Sequence, residues 1–222
     1  MLKKITKNTS IVSLGTGISM LLGLVRDVLV AQFFGTTALL ESFIVAFRLP
    51  NLFRSIFGEG FADSVATPVL SELNDNKKKL FETGNNLLSL CSVVLLFFTL
   101  LGVFFAKYLV MILAPGFVES AQKFSQTVSF ARITFLYLFF IGLSVNSFAL
   151  LYSLKRFFIP SITPAFLNVS FVIGLLFFSK FFENYILVVC VLSGGILQVI
   201  LPFYALRKQG FQFKLNLKTF FK

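Results

Sequence analysis

This 222-residue chain contains no histidine. That absence removes the usual imidazole metal ligand, imidazole proton relays and every Ser/His or Cys/His catalytic pairing. Cys91 and Cys190 lie in the middle of apolar runs without CxxC spacing, so packing roles are expected for them rather than disulfide or metal roles. Charge is scarce as well, at 13% of residues, and lopsided, with 20 basic residues against 9 acidic ones. An enzyme is not expected, nor is a metal or a resident cofactor. A coupling ion is not legible in these residues.

What remains is overwhelmingly apolar: 57% of residues are hydrophobic and the mean hydropathy is +0.90, too high for a soluble domain of this length. Residues 86–106, 133–154, 157–179 and 184–206 form uncharged runs, each longer than the roughly 18 residues that cross hydrocarbon as a helix. None alternates with a period of two, which excludes a barrel and leaves helices as the way to satisfy the backbone within lipid. The fold class expected is all-α, a polytopic transmembrane helix bundle.

Two further spans precede these four. Residues 9–34 are long enough to cross tilted or bent near Gly23, and Gly35, Thr36 and Thr37 make a short turn. Residues 38–57 follow, with Pro50 predicting a kink or local unwinding because its ring removes a donor and disfavours helix at Leu49. Residues 58–83 are mixed and charged. There Phe61, Val65, Val69 and Leu73, four apart, predict one apolar face of an amphipathic helix on the membrane surface. The stretch 108–117 is too short to cross alone, and the third span is expected to start near Asn86.

The basic residues fall into loops on alternate sides. Lys3, Lys4, Lys7, Lys77, Lys78, Lys79, Lys155, Arg156, Arg207, Lys208, Lys214, Lys218 and Lys222 share one side, against Lys107, Lys123, Arg132 and Lys180 on the other. This bias predicts six spans with both termini in the cytoplasm. It also accounts for the net charge of +11 as loop charge beside anionic lipid, so nucleic acid is not an expected partner. No small-residue cleavage site follows the first lysines, so the N-terminus is expected to be retained. Residues 1–208 are then expected to form a six-helix unit and 209–222 a basic cytoplasmic tail or the start of an onward connection. The four-residue spacing of Lys214, Lys218 and Lys222 fits a surface-lying helix or an ordinary positive-inside anchor.

Against that background five charged residues of the first two helices stand out: Arg26, Asp27, Glu41, Arg48 and Arg54. A charge at bilayer depth costs about 2.5–3.5 kcal/mol on insertion scales, so a chain that keeps several has a use for them. For Arg26 two readings stand: a guanidinium facing a watery cavity, or a long side chain reaching up to headgroups. Arg54 is a cavity cation or a positive-inside flank. Adjacent residues are about 100° apart on a helix, so Asp27 is expected to pair with another helix rather than with Arg26. Glu41 and Arg48, seven apart, share a face on which they are expected to line a groove or to interact through an intermediate group. Arginine's planar fork suits phosphate, which makes an anionic cargo, such as a phosphate diester or a diphosphate, the natural expectation; mutual neutralisation by Asp27 and Glu41 without any ligand is the alternative.

Longer motifs surround these charges. Gly23-Leu24-Val25-Arg26-Asp27, Phe33-Phe34-Gly35, Val45-Ala46-Phe47-Arg48-Leu49-Pro50-Asn51-Leu52-Phe53-Arg54 and Phe57-Gly58-Glu59-Gly60-Phe61 resemble the MurJ (MviN) family of lipid II flippases. So do Pro68-Val69-Leu70-Ser71-Glu72, Ala114-Pro115-Gly116-Phe117, Ile159-Pro160 and Pro164-Ala165-Phe166-Leu167-Asn168. The resemblance implies a bacterial inner-membrane transporter that moves undecaprenyl-linked peptidoglycan precursor outward by alternating access. It implies two six-helix lobes and two further helices, of which this chain supplies the first lobe, with the second expected in cis or in trans.

By motif match, Arg26 and Arg54 would contact the diphosphate, with Asp27 and Glu41 as nearby acidic positions. The family pattern also places an arginine just before the Leu-Gly of the first helix, where this chain has Met20. Two other readings remain at this level: export of a different lipid-linked oligosaccharide or a drug within the same superfamily, and a non-transporting membrane fragment.

Overall fold

The computed structural model describes residues 2–55 and 60–216. Among them every regular element is helical. Helix α1, Leu2–Phe34, runs unbroken through Gly23 and ends at Gly35, whose φ of +54° suits a residue without a Cβ. Thr37 caps the next helix, α2 (Ala38–Arg54), its hydroxyl accepting from the Leu40 amide at 3.4 Å.

No local unwinding occurs at Pro50: α2 continues through it as helix. Departure from α-helical geometry comes later, in a π-helical turn at Ala62–Ala66 that leads into the short α3 (Thr67–Glu72). The amphipathic face also differs from the expected one. Ala62, Ala66 and Leu70 are buried, whereas Val65 and Val69 point outward. The reason is steric: the small Ala62 and Ala66 let this segment sit close against α5, and Leu70 fills the remaining gap. Residues 56–59, including Phe57, Gly58 and Glu59 of the quoted motif, lie outside the described residues.

Helix α4 spans Lys77–Leu113, extending past both ends of the run from 86 to 106. Asn76 caps it, its side chain accepting from the Lys79 amide at 3.1 Å, so the three lysines open the helix instead of ending a surface segment. The stretch after Ala106 continues this helix to Leu113. A 3-10 turn, Pro115–Glu119, then leads to α5, Ala121–Ser153, which begins twelve residues before the apolar run it contains.

The fifth span is not one helix. It divides into α6 (Phe158–Ile162), α7 (Ala165–Ile173), a π-helical turn (Gly174–Phe178) and α8 (Ser179–Phe182). Pro164 has no amide to donate, which explains the break before Ala165. The carbonyl of Thr163 at this break accepts from the Phe166 amide at 3.1 Å and from Gln198 Nε2 at 3.4 Å. Gln198 lies on α9 (Ile186–Lys208), 2% exposed, and also takes the Tyr137 hydroxyl at 3.3 Å. Irregular backbone at membrane depth is thus satisfied by a neighbouring helix. Among the described residues six helical segments result, α1, α2, α4, α5, the broken α6–α8, and α9, within which four stretches are long and apolar enough to cross a membrane.

α5 is the centre. It packs along α4, α2 and α9, and its Phe130, Phe135, Leu138, Leu150 and Leu151 are fully enclosed. Glycines permit the close approach: a Cβ on Gly102 would lie 2.1 Å from Phe135, and one on Gly142 would lie 2.5 Å from Leu95. Cys91 and Cys190 are buried free thiols. Where Gly174 opens the π-helical turn, the Cys190 sulfur sits 2.3 Å from the place a Cβ would take.

α9 ends on Gly210, at φ +91°, and the chain turns back. Residues 211–216 are an extended strap, not the start of a basic helix. Phe211 is 3% exposed and meets the Phe81 ring edge-on at 5.4 Å. Asn85 of α4 grips the strap as a second backbone would: its Oδ1 accepts from the Lys214 amide at 2.8 Å and its Nδ2 donates to the Lys214 carbonyl at 2.6 Å. Lys218 and Lys222 lie outside the described residues.

Candidate functional site

α1 packs against α6 and α7 and makes little contact with α2. Between α1, the end of α5 and the broken fifth span lies a groove of about 590 Å³, within the ~300–1,000 Å³ range of ligand sites. Ser19, Met20, Gly23 and Arg26 line it from α1, Tyr152 from α5, and Pro160, Ser161, Pro164 and Asn168 from the other wall. Small residues on α1 again allow the approach: a Cβ on Gly15 would fall 2.3 Å from Ser161 Oγ.

Arg26 is the one charged residue among the described residues lining this groove. Its guanidinium is fixed from three sides. Nε and Nη2 donate to Asp27 Oδ1 at 3.0 and 2.8 Å, and Nη1 donates to Asn168 Oδ1 at 2.9 Å. The Phe171 ring lies 5.8 Å away, in cation–π range. Asp27 therefore pairs with its own neighbour, contrary to the expectation from helix geometry. The arginine side chain is long enough to fold back across 100° of helix surface, and no basic group from another helix competes for this carboxylate among the described ion pairs. The Arg26 side chain is 29% exposed and that of Asp27 68%, so the pair borders the groove without being sealed in.

The other charged residues do not gather here. Glu41 stands in the first turn of α2 and forms an ion pair with Lys123, at the start of α5. Lys123 in turn lies 4.0 Å from the Phe117 ring centre. Seven residues separate Glu41 from Arg48 by about 10 Å along the helix, and the ion-pair partner of Glu41 is the lysine of α5. Arg48 is exposed on α2. Arg54 closes α2, with Nε donating to Asn51 Oδ1 at 3.3 Å. Among the described residues no cluster of three or more His, Cys, Asp or Glu side chains is arranged to hold a metal ion.

The residue that sequence reasoning passed over is Asn168. It was legible only as part of a motif, and its signal is an amide inside an otherwise apolar run.

The profile of the family described as lipid II flippase MurJ matches residues 30–222. The chain belongs to the MurJ family. A probable lipid II flippase MurJ of Buchnera aphidicola subsp. Acyrthosiphon pisum (strain APS) is 38% identical over 198 residues, 86% of this chain and 39% of the relative. One from Aquifex aeolicus (strain VF5) is 32% identical over 219 residues, 95% of this chain and 43% of the relative. Among solved structures, a lipid II flippase MurJ in an inward closed conformation superposes with a TM-score of 0.72 at 26% identity, covering 94% of this chain and 44% of the other. The chain thus spans about two fifths of the length of the curated MurJ relatives it matches. It is a multi-pass bacterial membrane protein.

Proposed function

We propose that this chain is the N-terminal lobe of a flippase that carries lipid-linked peptidoglycan precursor, lipid II, from the cytoplasmic to the periplasmic leaflet of the bacterial inner membrane. On this reading residues 1–208 form the lobe, residues 209–222 begin its connection onward, and both termini lie in the cytoplasm. A second lobe, in cis or in trans, completes the cavity, and the two rock to expose it alternately to either side. The cargo is moved without chemical change, so the protein is a transporter and not an enzyme.

The observation that carries the reading is the oriented Arg26 guanidinium in a groove between helices of a MurJ-family chain. Three of its five N–H groups are engaged by Asp27 and Asn168, leaving one on each Nη. Two donors on adjacent nitrogens of a planar fork match two oxygens of a phosphate. Near a low-dielectric wall that contact is stronger than in water. Asp27 holds the fork, and Arg54 supplies a second cation toward the diphosphate as the lobes close. Glu41 and Arg48 act more remotely, Glu41 by tying α2 to α5 and Arg48 by adding positive charge to the exposed side of α2.

Cells that depend on the gene encoding this chain provide the test. Arg26→Ala is expected to lower outer-leaflet lipid II by about tenfold or more, the loss of a charge-assisted hydrogen-bond pair, with membrane insertion unchanged. The readout is cleavage by an externally added enzyme that attacks lipid II only in the outer leaflet. Normal translocation in Arg26→Ala would remove this residue from the site.

A further inference from the structure

We propose that Asn168 is the positioning residue of the site: it sets the rotation of the Arg26 guanidinium so that the two unengaged N–H groups present to a lipid-linked diphosphate. The inference rests on the transport reading above. It concerns a residue on a different span, one that does not itself need to touch the cargo.

Asn168 is 7% exposed and both ends of its amide are used. Nδ2 donates to the carbonyl of Ser19 at 2.8 Å, and Oδ1 accepts from Arg26 Nη1 at 2.9 Å. The first bond fixes the amide to α1, and the second transmits that fixation to the guanidinium. Ser19 and Arg26 are seven residues apart and so lie on one face of α1, about 10 Å apart along the axis. Asn168 reaches both from the facing helix.

The neighbourhood leaves little play. Gly23 lies between the two contacts, with a Cβ position 3.4 Å from Asn168 Nδ2, so α1 and α7 meet closely where the amide bridges them. Asp27 accepts from Nε and Nη2 with a single oxygen, and this contact leaves rotation about its own axis open. Asn168, engaging Nη1 on the other side, closes that freedom. Orientation carries unusual weight here because Met20 occupies the position where the family pattern has a second arginine. Among the described lining residues the groove has no other cation to compensate for a turned Arg26.

The chain has six arginines, so arginine-selective ¹⁵N labelling of the protein in detergent micelles gives few side-chain signals, and Arg26→Lys assigns the one in question. The wild-type protein is expected to show separate, slowly exchanging Nη1 and Nη2 signals for Arg26. Asn168→Leu, close in volume and without polar atoms, is expected to merge them and to weaken binding of farnesyl diphosphate, the soluble probe, by roughly tenfold. Asn168→Asp loses the donor to Ser19 but keeps an acceptor oxygen whose charge holds the guanidinium as an ion pair, so it is expected to retain the separate signals, while its added carboxylate weakens the probe at least as much.

A folded Asn168→Leu protein with unchanged Nη signals or unchanged affinity overturns the proposal. Should that variant not fold, Asn168→Asp decides: retained signals support the positioning role, and merged ones overturn it, since a purely structural amide has no reason to be rescued by an aspartate. Signals that respond to Asn168→Leu as expected in a wild-type protein that ignores farnesyl diphosphate would support the positioning and instead remove the diphosphate reading.

Discussion

α1 and α5 are both 33 residues long, yet 6% of the apolar stretch of α1 is buried within the chain against 72% of that of α5. α5 is enclosed on all sides by α2, α4 and α9 and meets them through shape: Phe135 in the notch at Gly102, Leu95 in the notch at Gly142. α1 uses one side only. Gly15, Ser19, Gly23 and Arg26 face α6 and α7, while Leu14, Met20, Leu21, Leu24 and Val28 are left outside. Apolarity makes a helix able to cross lipid, but small residues and polar side chains decide which helices hold to each other, since lipid tails are as apolar as leucine. The central strut is built by packing; the side wall is attached by hydrogen bonds, and the charge of the groove sits on the side wall.

The same substitution placed on each helix system breaks or sharpens this contrast. Gly102→Ala puts a methyl group 2.1 Å from Phe135 in the fully packed α4–α5 contact, and a loss of about 2 kcal/mol is expected. Gly17→Ala on α1 meets nothing within 4 Å, and a gain of about 0.5 kcal/mol from helix propensity is expected. Thermal unfolding in detergent separates the two; equal effects would mean that α1 is packed as tightly as α5.

An effect between these two is expected where α5 hands over to the wall of the groove. Lys155 ends α5 at φ 58°, with the Arg156 amide bonded to the Leu151 carbonyl at 2.8 Å, the arrangement that glycine serves at Gly210 after α9. Lys155→Gly is expected to stabilise the protein by about 1 kcal/mol, seen as a raised unfolding midpoint. An effect as small as that at Gly17 belongs to the opposite end of α5. Glu41→Gln removes the ion pair to Lys123, whose partners remain partly exposed, and is expected to cost about 0.5 kcal/mol, shrinking further in high salt. A large, salt-independent loss would show that this contact holds the bundle closed.

The spans themselves were legible because runs such as 184–206 are too long and too uncharged to be anything else. Helix ends were not, since Lys77, Lys78 and Lys79 read as a loop until Asn76 is seen to cap them. Residues 157–179 hid their division: Pro164 signalled a break, but the Gln198 amide that makes it tolerable lies over thirty residues away in sequence. Motif resemblance pointed to Arg26, which lines the groove between α1 and the broken fifth span. Its partners were harder, because spacing along one helix describes backbone direction, whereas a long guanidinium chooses among every acceptor within reach. Asp27 beside it and Asn168 from another span were both such acceptors.

The strap after α9 has its own consequence. Eight residues swinging loosely from Lys208 would spread their far end over about 15 Å as a flexible coil. Clamped by Asn85, Ser89 and Asn86, that leash has almost no slack. Whatever the polypeptide does beyond Asn216, it departs from a surveyed point on the flank of α4, with a bearing already chosen.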